Sequence, residues 1–167
     1  MYRLRTTILG RSLAAPALFG LIAAVSVARP AQAGVNDPLQ PIYLYPGVRD
    51  NGGAAGTGVA TSFHCTNLSG QTEKIQYLVF NFDSSTKANL NLNIGQLQQR
   101  TASTHDTFLY AEDLILNTGV VNQGTALILA TATFMFCTAH VLDASAAAPE
   151  GIDLHGVRFN PVGGTLE

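Results

Sequence analysis

The sequence predicts an all-β chain, an antiparallel β-sandwich of about seven strands stapled by one disulfide. Three observations carry that expectation. Apolar residues recur with a period of two rather than 3.6, the runs are short and punctuated by Gly, Asn, Ser and Pro, and the chain holds two cysteines behind an export-like start.

Residues 1–33 read as a secretory signal. Arg3, Arg5 and Arg11 form a basic start, Ser12 to Ala28 is apolar and uncharged, and Ala31-Gln32-Ala33 fits the small-x-small cleavage pattern. A retained anchor needs about 20 apolar residues, whereas this run contains Pro16 and is followed by Arg29 and Pro30. Cleavage after Ala33 leaves 134 residues (167 − 33), enough for one domain with one core. Four of the nine basic residues leave with the signal and all eleven acids stay, so the formal charge becomes 5 − 11 = −6. Arg49, Lys74, Lys87, Arg100 and Arg158 are scattered singly, which argues against nucleic acid or an anionic membrane as partner. No second long apolar run follows, so no membrane span is expected in the mature chain. The product is expected to be soluble, in the periplasm or outside the cell.

Residues 34–56 are expected to form an extended arm and a Gly-rich turn. Pro38, Pro41 and Pro46 surround Ile42-Tyr43-Leu44-Tyr45, which suits an edge strand, and Asn51 to Gly56 is flexible. The sandwich itself is expected over 57–167. Val59, Thr61, Phe63 and Cys65 alternate with Ala60, Ser62, His64 and Thr66. Ile75 to Phe82 is rich in β-branched and aromatic residues, and Leu90, Leu92 and Ile94 alternate with Asn89, Asn91 and Asn93, the mark of a sheet with one wet face. Thr101 to Tyr110 suits a further strand, and Ala111 to Asn117 either a helical turn or a strand. Ala126 to Leu142, apolar on both parities, is expected to cross the middle of a sheet, with a bulge. Leu154 to Asn160 supplies a last strand. This punctuation is that of an immunoglobulin-like or related sandwich.

In an oxidising compartment an even cysteine count points first to a disulfide, here Cys65–Cys137. The bridge either joins the two sheets or joins adjacent strands. Side chains alternate along a strand, so with both cysteines inward, His64 and His140 both point outward. Across two sheets they lie on opposite surfaces; on adjacent strands with 65 opposite 137, residue 62 opposes 140 and the two histidines lie diagonally on one face, about 7 Å apart. Phe134-Met-Phe-Cys137-Thr-Ala-His140 also resembles the ligand strand of cupredoxins. That resemblance implies copper electron transfer, with Cys137 and His140 as ligands and His64 or His105 as the first histidine. No Met follows His140 to serve as axial ligand.

Thr104-His105-Asp106 sets a base beside a carboxylate, but strand neighbours face opposite ways and no Gly-x-Ser-x-Gly elbow is present, so a polar turn is expected there and no catalytic residue is assigned. Glu112-Asp113, with Asp106, lacks EF-hand spacing and reads as surface acids. Tyr43 and Tyr45 share a face and suit either a sugar platform or edge packing. Asn67-Leu68-Ser69 fits the N-glycosylation pattern. An Ala-rich signal, His64-Cys-Thr-Asn, Phe136-Cys-Thr-Ala and the tail Gly163-Gly-Thr-Leu-Glu together resemble small exported bacterial β-sandwich proteins, a group that implies no particular activity. The expected function is a non-enzymatic binding or structural module without cofactor. A pilin-like subunit assembling through Ile42 to Tyr45 is a variant of it.

Overall fold

The alternation becomes two five-stranded sheets in a computed structural model, which describes residues 34–148 and 150–159. The expected signal, residues 1–33, and the tail from Asn160 onward lie outside the described residues. Seven strands have five residues or more: β1 (Gln40–Asp50), β2 (Val59–Asn67), β3 (Glu73–Phe80), β4 (Thr86–Ile94), β5 (Gln99–Ser103), β7 (Val121–Ala130) and β8 (Met135–Asp143). Three short ones complete the set: β6 (Leu114–Ile115), β9 (Gly151–Asp153) and β10 (Val157–Arg158). One sheet has the order β10-β1-β7-β3-β4 and the other β6-β5-β2-β8-β9. All pairs are antiparallel except β5 with β6. We call these sheets A and B.

Several segments depart from the sequence reading, each for a physical reason. Ala126 to Leu142 is two strands, not one bulged strand, and the chain crosses from sheet A to sheet B at residues 131–134. Both strands are central, and β7 carries Leu127 and Leu129 on its outer side, so the run is apolar on both parities. The crossing is fixed by Thr131, whose backbone N–H donates to the Lys74 carbonyl, whose hydroxyl accepts from the Lys74 N–H, and whose hydroxyl also meets the buried Glu73 carboxylate. Segment 111–117 resolves as the short strand β6, and segment 101–110 ends as a strand at Ser103 and continues as a loop. The expected arm is a full strand of sheet A. Its flank at Tyr43 and Leu44 is paired with Arg158 and Val157 of β10, so Ile42 to Tyr45 is not a bare edge.

The two inner faces interdigitate around an aromatic chain. Tyr43 stacks on Tyr45 at 5.7 Å, Tyr45 meets Phe63 at 6.0 Å, and Phe63 meets Tyr77 at 6.0 Å, so Phe63 of sheet B sits between rings of sheet A in the core. Ile75, Val79, Ile128 and Met135 close around them with no exposed surface. Cys65 and Cys137 stand directly opposite each other on β2 and β8, with Cα atoms 4.1 Å apart, and are bonded. The bridge therefore lies within sheet B, whereas the immunoglobulin constant domain places its bridge between sheets and orders its strands ABED and CFG. Tyr45 compensates, because its hydroxyl donates to the Cys137 carbonyl at 2.5 Å and ties sheet A to the bridge.

The bridge closes a loop of 72 residues. Replacing both cysteines (Cys65→Ala with Cys137→Ala) should lower unfolding free energy by about 4 kcal/mol while the β-sheet circular dichroism persists below the transition. Urea titration checks this; an unchanged midpoint contradicts the role given to the bridge.

Candidate functional site

The β2–β8 register decides which side chains share the outer face of sheet B. Ser62 opposes His140, His64 opposes Thr138, and His140 in turn opposes Asp153 of β9. His64 and His140 are thus diagonal neighbours, as the adjacent-strand alternative requires, with ring centres 5.4 Å apart. His140 is partly exposed and its Nδ1 lies 2.6 Å from Asp153 Oδ1. The carboxylate can only accept, so that nitrogen carries the proton.

His64 points outward, as expected, but is half-buried. The loop from Thr104 to Asp113 folds back over this face and sets Tyr110 edge-on against the His64 ring at 4.4 Å. Its Nδ1 sits 3.0 Å from Thr101 Oγ1, while its Nε2 is buried and has no hydrogen-bond partner among the described residues. Burial, and then the neighbouring His140, push its pKa down from 6.5 to about 4, so at neutral pH the ring is uncharged. The loop is pinned by Glu112, whose Oε1 accepts from the hydroxyls of Ser103 and Thr107 and from the Thr107 N–H. Asp113 bonds Arg100 and the Thr101 N–H. Neither acid is free to hold calcium as a surface pair would.

His105 belongs to a different structure. It is buried, its Nδ1 faces Asp50 Oδ2 at 2.8 Å and its Nε2 faces the Thr57 carbonyl at 3.0 Å. The ring thereby ties Asp50 of β1 to the Thr57 carbonyl of the following turn. Asp50 also accepts from Thr118 and from the Gly52 N–H. The Gly-rich turn is docked here through Gly56, which has a φ of 66° and donates to the Asp106 carbonyl. His105 and Asp106 do not act as a pair, and sequence reasoning missed Asp50 altogether.

The remaining candidates are equally placed by their hydrogen bonds. Cys137 is held in the bridge and points inward while His140 points outward, so the copper ligand pair implied by the cupredoxin resemblance does not converge. Among the described residues no three His, Cys, Asp or Glu side chains converge to hold a metal ion. Tyr43 and Tyr45 are buried and stacked, and line the floor of a cleft of about 380 Å³ between β1 and β8 without offering an open ring face. Asn67 is fully buried and its Nδ2 donates to the carbonyls of Gln71 and Ile94, so the nitrogen that a glycan would take is spent inside.

Sheet A has the opposite character. Its outer face carries a row of four apolar residues in register across four strands, Val157, Leu44, Leu127 and Leu78, with Phe80 and Leu129 in adjoining rows. All are at least partly exposed, Val157 at 49%. The row ends at Asn89 on β4, which among the described residues pairs with β3 alone. The other three sheet edges, β6, β9 and β10, are two or three residues long, whereas β4 has nine. No family model, curated protein or solved structure matches this chain. Among the described residues no helix is long and apolar enough to cross a membrane.

Because the folded pKa of His64 is depressed, the unfolded chain takes up this proton first on acidification. Stability from this group is complete above pH 6.5 and falls between pH 6.5 and about 4. His64→Gln should flatten that part of the stability profile. An NMR titration should leave the His64 ring neutral down to about pH 4; a midpoint near 6.5 would contradict the buried geometry.

Proposed function

We propose that the chain is an exported, non-enzymatic binding or structural module that works through strand β4 and the apolar outer face of sheet A. The observation that carries this is the contrast among sheet edges. Proteins blunt exposed edges with short strands, charge, proline or bulges. β6, β9 and β10 follow that rule by their length, yet β4 (Thr86–Ile94) has nine residues, no proline and Lys87 as its single charge, and its one register shift lies at the Phe80 end. The partly exposed apolar row of sheet A runs up to this edge, so an added strand would extend the sheet and shelter that face at once.

The sequence of β4 favours a second copy as the added strand. Asn89-Leu90-Asn91-Leu92-Asn93 is palindromic about Asn91. An antiparallel two-fold pairing through Asn91 sets Asn89 opposite the other copy's Asn93 and Leu90 opposite its Leu92, amides on the outer face and leucines on the inner. Leu90, 37% exposed at the sandwich rim, would gain cover. This moves the self-assembly reading from Ile42 to Tyr45, whose flank β10 occupies, to β4. The disulfide and the signal-like leader support export.

Sedimentation of the purified protein should show a concentration-dependent dimer. Asn91→Cys should form a covalent dimer under oxidation, because the axis sets that position against itself. Asn89→Lys with Asn93→Lys, which sets like charges opposite each other at exposed positions, should leave a folded monomer with the same β-sheet circular dichroism. A monomer at every concentration, with no cross-linked Asn91→Cys species, would refute the proposed edge.

A further inference from the structure

On the opposite side of the molecule, His64 and His140 have the arrangement of paired metal ligands. In each ring Nδ1 is occupied by an orienting partner, Thr101 Oγ1 for His64 and Asp153 Oδ1 for His140. Metal-bound histidines are typically held in this way, one nitrogen on a carboxylate, hydroxyl or carbonyl and the other on the ion. Two imidazoles bound to one ion at about 2.0–2.1 Å and a near-tetrahedral angle have ring centres about 5 Å apart; here they are 5.4 Å apart. His64 Nε2 is buried and has no hydrogen-bond partner among the described residues, a cost that an ion would remove. A cleft of about 180 Å³ lined by Tyr110, His140 and Asp153 opens the His140 side of the pair to solvent, and Tyr110 stands between it and the His64 ring.

We propose that His64 and His140 form a two-histidine site for a first-row transition ion of borderline softness, bound through the two Nε2 atoms. No third acidic, His or Cys side chain converges there among the described residues, so water or an incoming donor fills the other positions. Imidazole ligands and this geometry suit Zn²⁺ and Cu²⁺, with Cu²⁺ the tighter by the ordinary affinity order. Asp153 is a positioning residue. The bridge contributes only by setting the register, and neither cysteine is a ligand.

The test uses the full exported chain without an affinity tag, titrated with Zn²⁺ and with Cu²⁺ by calorimetry, and with Zn²⁺ followed in histidine ring NMR. One ion per chain should bind and shift the rings of His64 and His140 but not those of His105 or His155. His64→Ala and His140→Ala should each abolish saturable binding, Asp153→Asn should weaken it about 10- to 100-fold, and His155→Ala should leave it unchanged. His140 is partly exposed, so its variant should fold even if His64→Ala does not. Absence of binding at millimolar ion, or binding that survives His140→Ala, overturns the proposal. Neither result bears on the β4 edge, which lies on sheet A.

Discussion

The cross-strand pair Cys65–Cys137 is the constraint on which the arrangement depends. Strand side chains alternate with a period of two, so a one-residue slip between β2 and β8 would turn every side chain of one strand to the other face. A covalent bond between directly opposed residues forbids that slip. With the register held, Phe63, Cys65 and Ala139 face the core, and Ser62, His64 and His140 face out. Sheet A joins the same point through the Tyr45 hydroxyl on the Cys137 carbonyl, so one residue pair orders both layers.

The two outer faces that result are chemically unlike. That of sheet B carries Ser62, His64 and His140 and is partly roofed by a loop pinned through Glu112, which half-buries His64 and leaves His140 at the opening. That of sheet A carries a partly exposed apolar row that ends at β4, which among the described residues pairs with β3 alone. A sandwich with one wet face per sheet would show the same polarity on both sides. The asymmetry separates the surface proposed to take another strand from the one proposed to take an ion.

Local alternation was legible wherever one face of a strand was buried and the other wet, as in β2 and β4. The bridge followed from the cysteine count and the compartment that the leader led us to expect, and the diagonal placement of His64 and His140 followed once adjacent strands were assumed. Three features were hidden for definable reasons. The sheet-to-sheet crossing at 131–134 contains no Gly or Pro, and the strands on either side are both central, so period and punctuation failed together. Asp50 and His105 are 55 positions apart and meet only because β1 and the loop after β5 converge. The half-burial of His64 depends on Tyr110, a loop residue whose approach no pattern in the strand foretells.

The most direct test of this account is the β2–β8 register in solution, read from NOEs between α-protons of the oxidised protein. Opposed residues of a narrow antiparallel pair bring these protons together, so contacts are expected for Cys65 with Cys137, Phe63 with Ala139 and Thr61 with Val141. Contacts shifted by one residue, such as Phe63 with Thr138 or with His140, would contradict the account, since His64 and His140 would then no longer share a face.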